Sequence, residues 1–375
     1  MELESDFATF LSEIRPTRNQ RDGLQTGHET LRERLKADEE LKKVFISDFL
    51  QGSYRRATAV RPKSDRRSDV DIIVVTKLTE HEYTPAMAMD VFRPFLEKHY
   101  KDRWKPQGRS FGIELSYVEL DLVLTSAPSE AEFGILSSDA VTSDEDLEDA
   151  RDWRLHRSWV SLSSRERVDA RALLAKAKSE DEWKAKPLRI PDREANVWEW
   201  THPLEQIRWT RDKNSSTNRH FVNVVKAIKW WRLENFEEPK HPKGFTLERL
   251  IGECCPDGIE GVAEGVTKTL EKIATDYAQL VQVGSKPRLP DYGVPTNDVF
   301  KRVSAEDFRK FYEQTTSAAA LARRALDSDN RTESGNLWRE LFGGKFPKPP
   351  EDAGSQKKGY TPPSSPAIPG SGRFA

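Results

Sequence analysis

Apolar positions along the first third of the chain fall into short β-branched runs separated by amphipathic stretches. Residues 27–46 carry Leu31, Leu35, Val44 and Phe45 among many charges, which predicts a helix whose single apolar stripe braces a sheet. Residues 71–76 are continuously apolar after an acidic pair, the pattern of a central strand covered on both faces. Pro85 opens a predicted helix reaching about Tyr100, with Met89, Phe92, Phe95 and Leu96 as its buried stripe. Residues 112–117 and 117–123 predict paired or successive strands, the second placing Glu119, Asp121 and Val123 on one face. Helix, strand, helix, strand, strand predicts an α+β core rather than a doubly wound sheet, and no Gly-x-Gly-x-x-Gly follows a strand.

The pattern then changes. An acidic run at 144–152 predicts a solvated connection, and after it the chain is helical and rich in tryptophan. The clearest helix spans 217–236: Phe221, Val224, Val225, Ile228 and Trp231 share one stripe, Arg219, Asn223, Lys226 and Trp230 lie broadly opposite, and Lys229 flanks both. Residues 307–326, with Phe308, Phe311 and Tyr312, predict another helix, and 337–342 close the ordered part. The tryptophans at 198, 200, 209, 230 and 231 are expected as helix-packing anchors. From 343 onward proline, glycine, serine and lysine dominate, a composition that buries too little apolar area to offset its ordering entropy, so a mobile tail is expected.

Composition narrows the function classes. At 375 residues there is room for two domains. The 60 Lys+Arg nearly cancel the 62 Asp+Glu, and a net charge of −2 gives no global attraction to nucleic acid or anionic membrane. The opening residues are acidic and no apolar run reaches the about 18 residues of a membrane span, so a cytoplasmic protein is expected. Cys254 and Cys255 are adjacent and offer neither a disulfide framework nor the spaced ligands of a zinc site.

Candidate chemistry gathers at three places. Gln51-Gly52-Ser53-Tyr54 forms a Gly-Ser turn whose amides can meet a phosphate; Asp69-Val70-Asp71 sets two carboxylates on one face at the head of an apolar strand; Asp121 stands on a second acidic strand. Carboxylates entering a strand of Ile and Val are costly to desolvate unless paired or metal-bound. Three together suffice for two Mg²⁺ ions, with Mn²⁺ as a substitute, and phosphoryl transfer asks for charge neutralisation and in-line geometry more than covalent help. Asp69 and Asp71 are therefore expected to hold the metal on the donor triphosphate, Asp121 to complete the second metal's shell and take the acceptor proton, and Ser53 to meet the terminal phosphates. Glu119 is expected to pair with a lysine, and most of Arg55, Arg56, Arg61, Lys63, Arg66 and Arg67 to form a solvated loop.

These residues, together with Gln-Gly-Ser-Tyr-Arg-Arg at 51–56, Gly-Arg-Ser-Phe-Gly-Ile at 108–113, Thr-His-Pro-Leu at 201–204, Lys-Trp-Trp-Arg at 229–232 and the closing Gly-Arg-Phe-Ala, resemble the bacterial cGAS/DncV-like nucleotidyltransferases, clade D most closely, over nearly the whole chain. The resemblance implies a polymerase-β-like nucleotidyltransferase core with an N-terminal bracing helix over 1–160, a helical oligoadenylate-synthetase-type substrate-binding domain over 161–345, a central cleft between them, and a disordered tail over 346–375. It implies synthesis of a cyclic trinucleotide messenger, 3′3′3′-cyclic AMP-AMP-GMP, from ATP and GTP in anti-phage defence. It places Lys229, and Lys226 one turn earlier, on the donor triphosphate, and Phe245 and Thr246 beside the nucleotide as stacking aromatic and small hydroxyl; Tyr54 is a second stacking candidate. It also implies a ubiquitin-like conjugating partner of E1/E2 type acting at Ala375. The same metal and triphosphate motifs would serve a non-cyclising oligonucleotide synthase or an RNA or protein nucleotidyltransferase, and a non-catalytic nucleotide-binding scaffold is the alternative from another class.

Overall fold

A computed structural model describes residues 1–63, 67–126, 187–236 and 242–350; the acidic run at 144–152, Arg66 and Ala375 lie outside them. Among the described residues one mixed sheet runs β1 (Phe45–Gln51), β2 (Ser68–Thr76), β5 (Val118–Ser126), β4 (Ser110–Glu114), β3 (Trp104–Pro106). β2 and β5 are parallel and β1, β4 and β3 join antiparallel. A hairpin of β6 (Leu188–Asp192) and β7 (Val197–Thr201) hangs from β5 through Ser126 and Arg189.

Strand alternation splits the sheet's chemistry. Val70, Ile72 and Val74 with Leu120, Leu122 and Leu124 turn to one side, where α2 (Arg18–Ala37), α4 (Pro85–Asp90) and α5 (Arg93–Tyr100) bury them. Ile73, Val75 and Val123 turn to the other side and form a small cluster with Phe49 and Leu188, against which Ile46, Ile190 and Leu204 pack. That second face is apolar at one end and acidic at the strand heads.

A second, larger core is helical. α1 (Glu4–Glu13) contributes Phe7, Phe10 and Leu11 to a body built from α7 (Phe221–Asn235), α8 (Gly244–Cys254), α9 (Val262–Asp276), α11 (Ala305–Asp327) and α12 (Arg331–Phe342), with α6 (Pro203–Ser216) and α10 (Ala278–Gln282) at its edge. Phe7, Phe10, Trp338, Phe342 and Phe346 form its aromatic centre; Phe10 and Phe342 stack at 4.5 Å. The chain's first helix thus belongs to the helical body.

Several expected boundaries move for identifiable reasons. The bracing helix expected at 27–46 starts at Arg18 because Thr17 and Gln20 close a capping box, and it ends at Ala37 because Val44 and Phe45 are drawn toward β1. The helix expected at 85–100 breaks at Val91 and Phe92, with Pro94 restarting it in the first turn of α5. The helix expected from 217 begins at Phe221, since Asn218 and Arg219 are left-handed at φ 52° and 68°. Trp198 and Trp200 sit on β7, so the sheet continues to Thr201, and the helix Pro203–Ser216 follows it; residue 161 lies outside the described residues.

Candidate active site

The three aspartates are brought to one neighbourhood by register. In the parallel β2–β5 pair Asp71 stands level with Asp121, and Asp69 level with Glu119. Asp69 and Asp71 line a cleft of about 790 Å³ whose opposite wall is formed by α7 and α8; Asp121 lies one strand over from Asp71. Burial, with Asp69 nearby, pushes the Asp71 carboxyl up to about 6, against the pull of Arg56. Burial and the charges of Asp71, Asp69 and Glu119 push Asp121 up to about 7. Asp121 Oδ1 is buried without a hydrogen-bond partner. An orphaned carboxylate oxygen among like charges fits a hard divalent cation with oxygen ligands. Among the described residues no three His, Cys, Asp or Glu side chains stand gathered as a ready-made metal site. Asp71 Oδ2 leans toward Gly52.

Gly52 makes that lean possible. Its φ is 76°, and a Cβ there would sit 1.7 Å from Asp71 Oδ2. The Gly-Ser turn therefore lies directly against the carboxylates. It follows β1, whose last residue Gln51 is level with Asp71, and continues as the four-residue α3 (Gly52–Arg55). Ser53 lines the cleft, and its carbonyl accepts from Thr58 N and Ala59 N at 2.9 and 3.1 Å. Gln51 Nε2 donates to Gln206 Oε1 at 3.1 Å and Gln206 Nε2 to Asp291 Oδ2 at 2.8 Å, which ties the turn to α6 and to the loop before α11.

On the facing wall the expected cations separate. Lys229 reaches the cleft, and its ammonium donates to Glu248 Oε1 at 2.6 Å and Thr58 O at 3.1 Å. Lys226 does not reach it. That side chain is 0% exposed inside the helical body beside Arg15, and burial with the charges of Arg15 and Lys229 drives its pKa well below the usual lysine range. Helical spacing gave it nearly the direction of Lys229, but the flank one turn earlier is covered. Phe245 lines the cleft half-buried, with the Arg56 guanidinium 5.1 Å from its ring centre. Thr246 also lines it, and its hydroxyl donates to Val299 O at 3.0 Å. Tyr54 packs on the sheet core with its ring 6.0 Å from His28, away from the base-stacking position expected of it.

Arg56, Arg61, Lys63 and Arg67 of the basic segment have partners, with Lys63 and Arg67 still more than a third exposed. Arg56 is buried and donates from Nε to Glu248 Oε2 at 3.0 Å. Arg61 Nε donates to Arg15 O at 3.0 Å, Lys63 meets Glu234 at 2.6 Å and Arg67 meets Glu114 at 3.0 Å. Lys105 pairs with Glu114 as well, and its charge also acts on Glu119. Glu248 was not foreseen. In the sequence it is one charge among several on an amphipathic helix; its spacing of three from Phe245, on the same helix face, is the only hint.

A family model for the second messenger oligonucleotide or dinucleotide synthetase domain matches residues 1–133. The chain is 49% identical to a cyclic AMP-AMP-GMP synthase of Enterobacter hormaechei subsp. hoffmannii and 48% identical to a probable cyclic AMP-AMP-GMP nucleotide synthase of Salmonella paratyphi B, each over the full length of both chains. The fold resembles that of Bradyrhizobium diazoefficiens CdnG, solved with GTP: TM-score 0.64 at 12% identity, covering 92% of this chain and 95% of that one.

Proposed function

The chain belongs to the bacterial cGAS/DncV-like nucleotidyltransferases, and on that premise we propose that it joins ATP and GTP into a cyclic trinucleotide, cyclic AMP-AMP-GMP. One observation carries the chemistry: Asp69 and Asp71 line a cleft whose far wall presents a lysine and an aromatic ring, and Asp121 stands level with Asp71 on the adjacent parallel strand. The product follows the two relatives that are about half identical along the whole chain.

Magnesium ions held by Asp69, Asp71 and Asp121 would neutralise the triphosphate and lower the pKa of an acceptor 3′-hydroxyl. The remaining work falls to the chain. Gly52 and Ser53 bring backbone amides to the terminal phosphates, and Lys229 faces them as a point charge. Phe245 offers a flat face to a purine, indifferent to which one. Asp121 takes the proton that the attacking 3′-hydroxyl sheds as its oxygen bonds to the donor's α-phosphorus and pyrophosphate leaves. Two nucleotides must meet for each bond, and the cleft's volume lies in the upper range of ligand sites. Conjugation of Ala375 by a ubiquitin-like E1/E2-type partner belongs to the same proposal, on the resemblance of the closing residues.

The test is product mass. Purified protein given magnesium, ATP and GTP, then phosphatase, should yield a phosphatase-resistant species with the mass of two AMP and one GMP units. Only phosphatase-sensitive linear chains would refute cyclisation; a ring of other composition would refute the base assignment. Asp69→Asn with Asp71→Asn should abolish turnover while the protein stays folded.

A further inference from the structure

Glu248 is one of only three acidic residues buried among those described, with Asp48 and Asp192. Its two carboxylate oxygens accept from two cations that line the cleft: Oε1 from Lys229 Nζ at 2.6 Å and Oε2 from Arg56 Nε at 3.0 Å. Lys229 Nζ also donates to Thr58 O at 3.1 Å, and Thr58 N donates to Ser53 O at 2.9 Å. Backbone and side-chain bonds thus run from α8 through α7 to the Gly-Ser turn. All of Arg56, Lys229 and Glu248 line the cleft.

The geometry points to Glu248 as a positioning residue for the donor triphosphate, one that fixes the Lys229 ammonium and the Arg56 guanidinium against the Gly-Ser turn. This rests on the nucleotidyltransferase reading of the cleft. An ammonium has three N–H groups and a guanidinium five. Glu248 and Thr58 take two from Lys229, and Glu248 takes only Nε from Arg56, which leaves one ammonium proton and both Nη groups to offer to a ligand. Two cations confined side by side would otherwise repel, and a buried ammonium without a counter-charge tends to shed its proton. Burial disfavours the Glu248 carboxylate, but Arg56 and Lys229 drive it down to about 2, so it stays charged at any working pH. One carboxylate against two cations leaves a single positive charge, and the phosphates then complete the neutralisation. The same contacts set where Phe245 lies, because the Arg56 guanidinium rests over its ring.

Calorimetric titration with a nonhydrolysable ATP analogue and magnesium tests this in four proteins: wild type, Glu248→Gln, Lys229→Met and the double variant. Glu248→Gln should weaken binding about tenfold to hundredfold, the worth of a charge-assisted hydrogen bond. In the Lys229→Met background the same change should cost only about threefold, because Glu248 acts largely through that lysine. Glu248→Asp, which keeps the charge with a shorter reach, should recover part of the loss; it carries the test if the glutamine variant does not fold. Wild-type affinity in Glu248→Gln, or losses that simply add, would overturn the inference while leaving the site intact. A wild-type protein that binds no analogue would overturn the reading of the cleft itself.

Discussion

At Asp71 and Asp121 the site sets like charge against the stability of its own fold. Both carboxyls are raised, to about 6 and about 7, so between the unfolded carboxylate range and those values the native chain binds more protons than the unfolded one. Stability then falls as pH rises from about 4 to about 7. Without divalent ions, Asp71→Asn and Asp121→Asn should each raise stability at pH 8, by on the order of 1–2 kcal/mol, and change little at pH 4. Melting curves at the two pH values, with and without magnesium, check this; equal shifts at both would contradict it. Activity should fall as pH drops through 7 to 6, because the cation needs charged ligands. Lys226 gives a second residue-scale outcome. Its pKa is lowered, so Lys226→Met should stabilise the protein at pH 7 by about 1 kcal/mol or more, and leave the apparent affinity for ATP unchanged. A weaker affinity would return that lysine to the cleft. The contrast shows what spacing conveys. Asp-x-Asp at a strand head was legible because period two fixes both side chains on one face. Helical spacing gave a direction for Lys226 and Lys229 but not what covers each, and Glu248 was invisible because burial alone distinguishes it from a solvated charge.

Among elements, the turn between β1 and α3 joins backbone geometry to chemistry. Gly52 is needed twice, for a left-handed φ and for the space that Asp71 occupies. Gly52→Ala should therefore destabilise the fold by more than the about 1 kcal/mol of a left-handed alanine, and reduce turnover at least about hundredfold by displacing the carboxylate. A folded Gly52→Ala protein with near-normal rates would show that Asp71 does not need its present place. β2 and β5 are legible because apolar runs with acidic heads have few other homes; the strand expected at 112–117 meets β4 only at its end, Gly112 to Glu114. β1 was lost to the preceding helix, since Val44 and Phe45 fit a helical stripe as well as a strand edge. The hairpin β6–β7 was masked by tryptophans read as helix anchors. α1 carried too few apolar residues to declare that its partners lie beyond residue 220.

The molecule has two cores, and residues 56–63 bind them. This strap leaves the Gly-Ser turn of the sheet and runs along the helical body: Arg56 to Glu248, Thr58 to Lys229, Val60 against the helical core, Arg61 N to Ile14 O at 2.6 Å, Lys63 to Glu234. β2 follows in sequence from Ser68, and its second residue is Asp69. One end of the strap is thus the Gly-Ser turn, β2 follows the other end in sequence, and its middle belongs to the other body. A shift of the helices must pull on the phosphate turn and on the carboxylate strand together, so neither core should lose structure alone. Urea unfolding followed by tryptophan fluorescence and by far-ultraviolet circular dichroism is expected to give coincident transitions, although the described tryptophans lie in both cores. Magnesium with a nonhydrolysable triphosphate at about a hundred times its Kd should move both curves together, by about 2.7 kcal/mol. Two separated transitions, or a ligand shift confined to one probe, would mean that the strap joins the cores without coupling them, and that the cleft is assembled only when nucleotide arrives.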